Sequence, residues 1–207
     1  DALPEGAVVG SLAEQLKAET DGVKQHLAGQ ISGEENAFTA LNTAFFQDGA
    51  FIYLPKGKAI EKPIHLLFVS TGKEAGVTTH PRNLIIAETH SELKIVESYV
   101  GLSDVPYLTN AVTETVVADE AHVEHCKLQD EPGEAFHMAS LYSHQGRSSS
   151  FYYHPMALGA HISRNNIRTT LDGEGLECVL NGLYLTQGKQ LADNYMIVDH
   201  AKPHCES

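Results

Sequence analysis

The sequence contains few cysteines and no tryptophan. Its three cysteines, Cys126, Cys178 and Cys205, are an odd number, lie far apart and form no Cys-x-x-Cys pair. Small secreted domains that depend on disulfides carry paired cysteines at short spacings, so the sequence argues against a disulfide framework. The sequence therefore predicts a protein of a reducing compartment, with the cytoplasm as the expected location.

Positive charge and long apolar runs are also scarce. Fourteen basic residues against 27 acidic ones give a net charge of -13. Nucleic acids and anionic membrane surfaces both attract clustered Lys and Arg, so neither is expected as a partner. No run approaches the roughly 20 apolar residues of a membrane span, and the first residues lack the pattern of a signal peptide. The sequence predicts a soluble protein.

Familiar catalytic motifs are absent as well. The chain has no Gly-x-x-x-x-Gly-Lys-Ser/Thr loop, no Gly-x-Gly-x-x-Gly after a strand and no Gly-x-Ser-x-Gly elbow. Paired carboxylates could serve glycoside hydrolysis, but nothing in the pattern selects a pair. The acidic residues on predicted strands are Glu97, Glu114, Glu124 and Glu177.

What the sequence does contain is a repeat between residues 93 and 198. Aligning Leu93, Ala121, Ser149 and Leu176 gives spacings of 28, 28 and 27 residues. Two and seven positions further on, every copy carries an apolar residue, which predicts stacked structural units. These two columns are Ile95, Val123, Phe151 and Cys178, then Val100, Leu128, Met156 and Leu183. Weaker columns of the return half-turns are Thr113, Leu141, Thr169 and Met196, then Thr115, Ser143, Leu171 and Val198.

Two architectures are compatible with this repeat. Within a copy the apolar positions alternate and then change phase, as from Val123 to Cys126, which favours a corner between two strands over one flat strand. Strand, corner, strand and return every 27 or 28 residues is typical of a parallel β-helix or another β-solenoid. The alternative is an antiparallel sandwich with hairpins, for which Asn181-Gly182 is the best turn signal.

A helical leader is predicted before the β region. Residues 7–9 predict a short edge strand, and Ser11 with Glu14 forms a capping box that starts a helix, which the segment 20–22 kinks or splits. A second helix is predicted from Glu34 to about Phe46, with Phe38, Leu41 and Phe45 on one face and Gly49 as its C-terminal cap. After it, segments 65–69 and 84–87 are apolar strands. We therefore predict a helical segment over residues 1–49 and a β-helix core over residues 50–207.

Histidines near thiols are the best candidates for chemistry. His122, His125 and Cys126 share one predicted strand, in which His122 and Cys126 face one side and His125 the other. Cys126 and Cys178 fall in apolar columns and resemble buried thiols. His204 and Cys205 are candidate metal ligands, because imidazole and thiolate together suit zinc or iron, with a structural role as the alternative.

Several segments resemble the SufD members of the SufB/SufD family of iron–sulfur cluster assembly proteins. They occur in the family's order and extend over nearly the whole chain. The segments are 3–6, 42–57, 124–129, 180–183 and 199–207.

This resemblance implies a right-handed parallel β-helix preceded by N-terminal helices. It also implies a scaffold subunit without turnover of its own, which pairs with SufB and binds the ATPase SufC. No cofactor is expected on the chain itself, and a nascent iron–sulfur cluster is expected only in the assembled complex. His204 and Cys205 match family positions by motif.

One departure from the family concerns length. Family members continue past the His-Cys-x-Ser segment, whereas this sequence stops at Ser207, so we expect a fragment whose SufB and SufC contacts lie largely beyond residue 207. We also expect an open β-helix end that can self-associate. The alternative function is a β-helix enzyme acting on acidic polysaccharide, although the Lys and Arg that such a substrate requires are sparse.

Overall fold

The computed structural model describes residues 3–31 and 36–207, and within them strands dominate. The helices are α1 (Leu12–Lys17), α2 (Asp21–His26) and α3 (Ala37–Phe45). The strands are β1 (Val8–Ser11), β2 (Ala50–Leu54), β3 (Ile64–Ser70), β4 (Thr78–Thr79), β5 (Arg82–Ala87), β6 (Glu92–Gly101), β7 (Leu108–Val117), β8 (His122–Asp130), β9 (Phe136–Gln145), β10 (Ser150–Ala157), β11 (Ile162–Leu171), β12 (Glu177–Leu180), β13 (Leu183–Tyr184) and β14 (Leu191–His200).

From β5 to β12, successive strands alternate between two sheets that face each other. Sheet 1 has the order β1-β2-β5-β7-β9-β11-β14, with β4 beside β7, and sheet 2 has the order β12-β10-β8-β6-β3, with β13 beside β10. Every pairing is parallel except that of β1 with β2. The chain is thus a parallel β-solenoid of about five turns, as predicted. Asn181-Gly182 makes no hairpin, because β12 and β13 on either side of it both pair parallel with β10.

The predicted columns of sheet 2 are correct in their later members only. Val123 lies opposite Phe151, and Phe151 lies opposite Cys178. Ile95 does not join them, because Leu93 lies opposite Val123, a step of 30 residues and not 28. The second column is displaced in the same way: Ser98, and not Val100, lies opposite Leu128, while the later steps to Met156 and Leu183 are as predicted.

The predicted columns of sheet 1 fail at a later step. Thr113 lies opposite Leu141 and Thr115 opposite Ser143, as predicted. The next coil is shorter by two residues, so Leu141 lies opposite Ile167 and Ser143 opposite Thr169. Met196 and Val198 then continue these two columns from Ile167 and Thr169, respectively. Coil lengths that vary by a few residues therefore defeat a fixed period.

The predicted corner at Cys126 is wrong. Strand β8 runs unbroken from His122 to Asp130 and keeps its alternation, with Val123, His125, Lys127 and Gln129 buried. Cys126 and Leu128 lie on the other face and are partly exposed. The apparent change of phase arose because the inward positions become polar while the outward ones become apolar.

The N-terminal helices cover the outer face of sheet 1. Ser11 caps α1 by accepting a hydrogen bond from the Glu14 backbone N–H at 3.2 Å, and the predicted interruption separates α1 from α2. Leu12 and Val23 pack against Phe51 and its neighbours on the sheet. Strand β1, predicted at residues 7–9, forms at Val8–Ser11 and closes the first edge of sheet 1.

Helix α3 presents an unusual face to the sheet. Its predicted start at Glu34 lies outside the described residues, and it ends at Phe45 with Phe46 as the C-terminal cap. Gly49 is therefore not the cap that was predicted. The helix buries Thr39 and Asn42 against the sheet, while Leu41 and Phe45 are 37% and 62% exposed.

The predicted boundary between residues 49 and 50 coincides with the start of β2 at Ala50. Strand β1 precedes the helices and pairs with β2 across that boundary. The division of the chain into two domains between residues 49 and 50 stays a prediction. No helix of the described residues is long and apolar enough to cross a membrane.

A candidate site of buried polar side chains inside the solenoid

The space between the sheets is apolar on one side and polar on the other. The apolar side contains Leu93, Val123, Phe151 and Cys178. On the polar side, inward side chains of β6 and β8, of the residue that follows β8 and of the facing strands β9 and β11 are polar and buried, and we call them the buried polar row. Its members are Glu97, Tyr99, His125, Lys127, Gln129, Glu131, His137 and Asn165.

Glu97 is the first carboxylate of this row. Its Oε2 lies 2.8 Å from Nε2 of His125, and its Oε1 accepts a hydrogen bond from the Tyr99 hydroxyl. Burial alone would raise the pKa of Glu97, but the hydrogen bond and charge of His125, together with Lys127, lower this pKa from 4.5 to about 2. The carboxylate is therefore charged although only 2% of the residue is exposed.

Lys127 connects the two sheets. Its ammonium group donates to Nε2 of His137 at 2.9 Å and to Oδ1 of Asn165 at 2.9 Å, and it lies 5.4 Å from the centre of the Tyr99 ring. Burial lowers the pKa of Lys127 to about 8, against the opposing charges of Glu97 and Glu131. Since His137 accepts at Nε2, its proton is on Nδ1.

Glu131 completes the row. His137 donates from Nδ1 to Glu131 Oε2 at 2.6 Å, and the Thr109 hydroxyl and the Gln129 amide donate at 2.7 and 3.1 Å. Burial tends to raise the pKa of Glu131, but His137 and these two donors lower it. The result is a carboxylate–imidazole–ammonium chain in which each member holds the charge or tautomer of the next.

The row can hold charge and exchange protons along its hydrogen bonds, but it is closed to substrates. Glu97, His125, Lys127, Glu131 and His137 are each at most 3% exposed. Sequence reasoning missed all of these roles, and of His125 it predicted only that the side chain faces the side opposite His122 and Cys126, which the strand confirms. The available signal was the unbroken alternation of each strand, which continues from apolar residues into polar ones.

The predicted ligands His204 and Cys205 lie in a turn and not in the row. The turns that follow the strands of sheet 1 stack on one another. Each has one residue in the left-handed region, and the backbone N–H of that residue donates to the next turn. Gly175 (φ 68°) donates to the carbonyl of His204 (φ 58°), which continues the ladder formed by His90, Glu120 and Ser148. His204 is therefore a turn residue of the last coil.

Cys205 is the inward neighbour of that turn residue. It continues the column of Ala121, Ser149 and Leu176, and its thiol donates to the carbonyls of Gly173 and Lys202 at 3.1 Å. No group of three or more His, Cys, Asp and Glu side chains that could hold a metal occurs in residues 3–31 and 36–207. The geometry favours the structural role. Metal binding here stays a prediction, which loss of iron or zinc in a Cys205→Ser variant would test.

The other residues considered for chemistry are spread over the molecule. Cys178 is buried, as predicted, but the same prediction for Cys126 is wrong, because Cys126 lies partly exposed on the outer face of sheet 2. Glu114 is buried beneath the helices, where it accepts two hydrogen bonds from Arg82. Glu177 is exposed on β12. The four glutamates on the predicted strands thus form no pair of facing carboxylates.

The charged interior predicts acid sensitivity. The pKa of Glu97 is lower in the folded protein than the ordinary value of 4.5, so its contribution to stability is complete above pH 4.5 and is lost as the pH falls towards 2. The shift corresponds to roughly 3 kcal/mol. Urea unfolding followed by circular dichroism between pH 7 and 3 should show this loss. A Glu97→Gln variant should lose less stability over that range, whereas Glu124→Gln, on the outer face of β8, should behave like the original; equal slopes for all three would contradict the assignment.

The fold and the buried polar row define the class of this protein. It is a parallel β-solenoid with a sealed, charged core and helices that cover one sheet. Residues 68–207 match the family described as SUF system FeS cluster assembly, SufBD core domain, and residues 1–66 match the SufBD protein N-terminal region. The chain belongs to the SufBD family of the SUF system for iron–sulfur cluster assembly.

Curated relatives agree with this assignment. An iron–sulfur cluster assembly SufBD family protein of Synechocystis is 30% identical over 184 residues, which cover 85% of this chain and 41% of the relative. SufD of Escherichia coli is 27% identical over 187 residues, covering 89% of this chain and 44% of SufD. SufB of Bacillus subtilis is 25% identical over 207 residues, covering 98% and 43%. The chain thus spans about two fifths of the length of these relatives.

Proposed function

We propose that this chain is a non-catalytic scaffold subunit of a cytoplasmic SufBCD-type complex, in which it pairs with a SufB-like subunit and a SufC-like ATPase. Family membership supports a role in iron–sulfur cluster assembly, and the relatives include proteins named SufD and SufB. The sealed interior supports the non-catalytic part, because the acid, base and ammonium side chains of the buried polar row are inaccessible to a substrate.

The observation that carries the pairing proposal is the family match, with relatives named both SufD and SufB, and the last coil of the described residues adds strand edges on which further β-structure can pair. Among the described residues β14 and β13 have no strand neighbour on their outer side, and β12 has only a single parallel bridge, from Glu177 to Glu206. Edge strands with apolar side chains readily pair with further β-structure. The exposed side chains at this end are Leu183, Tyr184, Leu191, Tyr195 and Met196, each 46–58% exposed. Self-association of residues 1–207 through this end also stays a prediction, which sedimentation would test.

Co-expression tests the proposed complex. A polypeptide with the length of the relatives should elute with the SufB-like and SufC-like proteins from size-exclusion chromatography. Residues 1–207 alone should lose the SufC-like protein, because the resemblance places that contact beyond residue 207. Failure of the longer polypeptide to retain either protein would refute the scaffold role. Retention of the SufC-like protein by residues 1–207 would refute the location of its contact.

A further inference from the structure

Strand β3 is the free edge of sheet 2 at the opposite end from β12 and β13. Among the described residues it pairs only with β6, so the N–H and C=O groups of its other edge have no strand partner. β3 extends for seven residues, from Ile64 to Ser70. A free edge of this length is a template for another extended segment.

This edge also lacks the usual protection. Natural edge strands discourage pairing with Lys, Pro, bulges or short length, and β3 contains no Lys, Pro, Gly or acidic residue. Its outward side chains Leu67 and Val69 are 55% and 44% exposed. An apolar edge without such devices indicates that a partner covers it.

Helix α3 forms the facing wall of a groove along this edge. Its polar side is fixed to sheet 1, since the Asn42 amide donates to the carbonyls of Pro81 and Asn110 at 2.9 Å. Leu41 and Phe45 consequently face the groove. The cavity has a volume of about 1390 Å³, above the range of about 300–1,000 Å³ of small-molecule sites. Its size fits a segment of polypeptide.

The charge of the groove specifies the chemistry of that segment. Although the chain carries a net charge of -13, the charged residues that line the groove are only Asp48, Lys73 and Glu74. Asp48 is already occupied, because its carboxylate accepts hydrogen bonds from the Ser11 hydroxyl and the Ala13 N–H. Asp48 nevertheless keeps its charge, so with Lys73 and Glu74 the lining has a net charge of only -1, on a chain with a net charge of -13. A largely apolar lining with so little net charge complements an uncharged, apolar partner.

We propose that the free edge of β3 binds an extended, uncharged, apolar segment of a partner polypeptide. The segment pairs with β3 as an added strand of sheet 2, and the backbone hydrogen bonds of that pairing select an extended chain over a helix or a lipid. Its side chains contact Leu67 and Val69 of β3 and Phe45 of α3. This site is separate from the end formed by β12, β13 and β14, and so goes beyond the complex proposed above.

The test uses a synthetic peptide of alternating valine and threonine, about eight residues long to match a typical strand, with a fluorescent label. A twin peptide is N-methylated at every second residue, which removes backbone donors and keeps the side chains. Fluorescence anisotropy with the complete 207-residue chain should show binding of the first peptide. N-methylation, or Leu67→Lys in the protein, should weaken binding by at least about tenfold.

Two matched variants locate the binding. Leu102→Lys changes a side chain that is 69% exposed in a turn outside the groove, and Leu183→Lys charges the opposite edge of sheet 2. Both should bind like the original, with circular dichroism confirming that all variants are folded.

Four results would overturn the proposal. They are no binding of either peptide, equal binding of the N-methylated twin, loss of binding in Leu183→Lys in place of Leu67→Lys, and a concentration-dependent dimer that Leu67→Lys disrupts. The last of these would make a second copy of the chain the occupant.

Discussion

Gly49→Ala is expected to destabilise the protein by upwards of about 3 kcal/mol, the upper end of overpacking effects. A Cβ at this position would lie 1.7 Å from the carbonyl oxygen of Arg82 and 2.4 Å from its carbonyl carbon. These are backbone atoms at the start of β5, so no side-chain rotation can relieve the clash. The Gly49 carbonyl also accepts the hydrogen bond of the Leu12 N–H, so displacement would disturb the start of α1. Urea unfolding followed by far-ultraviolet circular dichroism measures the effect.

Gly10→Ala is the matched control for this substitution. Gly10 lies in β1 near the same helices, has no heavy atom within 4 Å of the point that a Cβ would occupy and needs no left-handed backbone. Alanine there should change stability by no more than about 0.5 kcal/mol. Similar midpoints for Gly49→Ala and Gly10→Ala would show that the backbone at Gly49 can move away from β5 at little cost.

Gly49 also illustrates what local sequence rules miss. A glycine shortly after a helix is usually a C-terminal cap, and this expectation was wrong because the actual requirement comes from Arg82, which is 33 residues later in the chain. Such a close approach between distant segments leaves no local pattern. The Ser11–Glu14 cap was predictable for the opposite reason, since the two residues that form it lie within one helical turn.

The repeat was predictable in kind but not in register. Val123, Phe151 and Cys178 stack as expected because a buried apolar column leaves a periodic trace in the sequence. The step from Leu93 to Val123 is longer, because loops between coils differ in length while the strands stay paired. The stacked left-handed turn residues mark the true register, but of His90, Glu120, Ser148 and Gly175 only the last is a glycine. Because the other three are not glycines, the residue types do not reveal these left-handed positions in the sequence.

The buried polar row could not be predicted from residue type, because polar side chains usually lie at the surface. Charged and amide side chains such as those of His125, Lys127 and Gln129 are seldom fully buried without partners, so nothing in the sequence marked these three as inward. Here each has its partner on the same strand, on a neighbouring strand of sheet 2 or on the facing sheet, as in the contact of Lys127 with His137. Glu97 and Asn165, the partners of His125 and Lys127 in other coils, are recognised only after the register is known.

Such a row also gives the solenoid a means of fixing its register. An apolar column tolerates a slip between similar side chains, whereas Lys127 meets His137 and Asn165 in one alignment only. Buried ion pairs add little net stability compared with well-packed apolar residues, but breaking one leaves an uncompensated charge. We therefore expect truncation of Lys127, whose charge acts on both Glu97 and Glu131, to destabilise the protein more than truncation of any other side chain in sheet 2.

Lys127→Met is accordingly expected to cost about 3–5 kcal/mol, as for the loss of one partner of a buried ion pair. The substitution keeps much of the side-chain volume but removes the ammonium group that acts on both Glu97 and Glu131. Both carboxylates would then be buried without it, so their pKa values should rise and the acid transition should move to higher pH. Urea unfolding at pH 7 and an acid titration by circular dichroism measure the two effects.

Two further variants separate charge from packing in this prediction. Lys127→Met combined with Glu131→Gln removes one of the stranded carboxylates, so the double variant should recover part of the loss, because residues of one network do not act additively. Lys189→Met, at an exposed position outside the strands, should stay within about 0.5 kcal/mol of the original. If the double variant were less stable than Lys127→Met by the full cost of Glu131→Gln alone, the ammonium and the carboxylate would be energetically independent. The interior would then be held together by packing, with the hydrogen bonds of the row as its consequence.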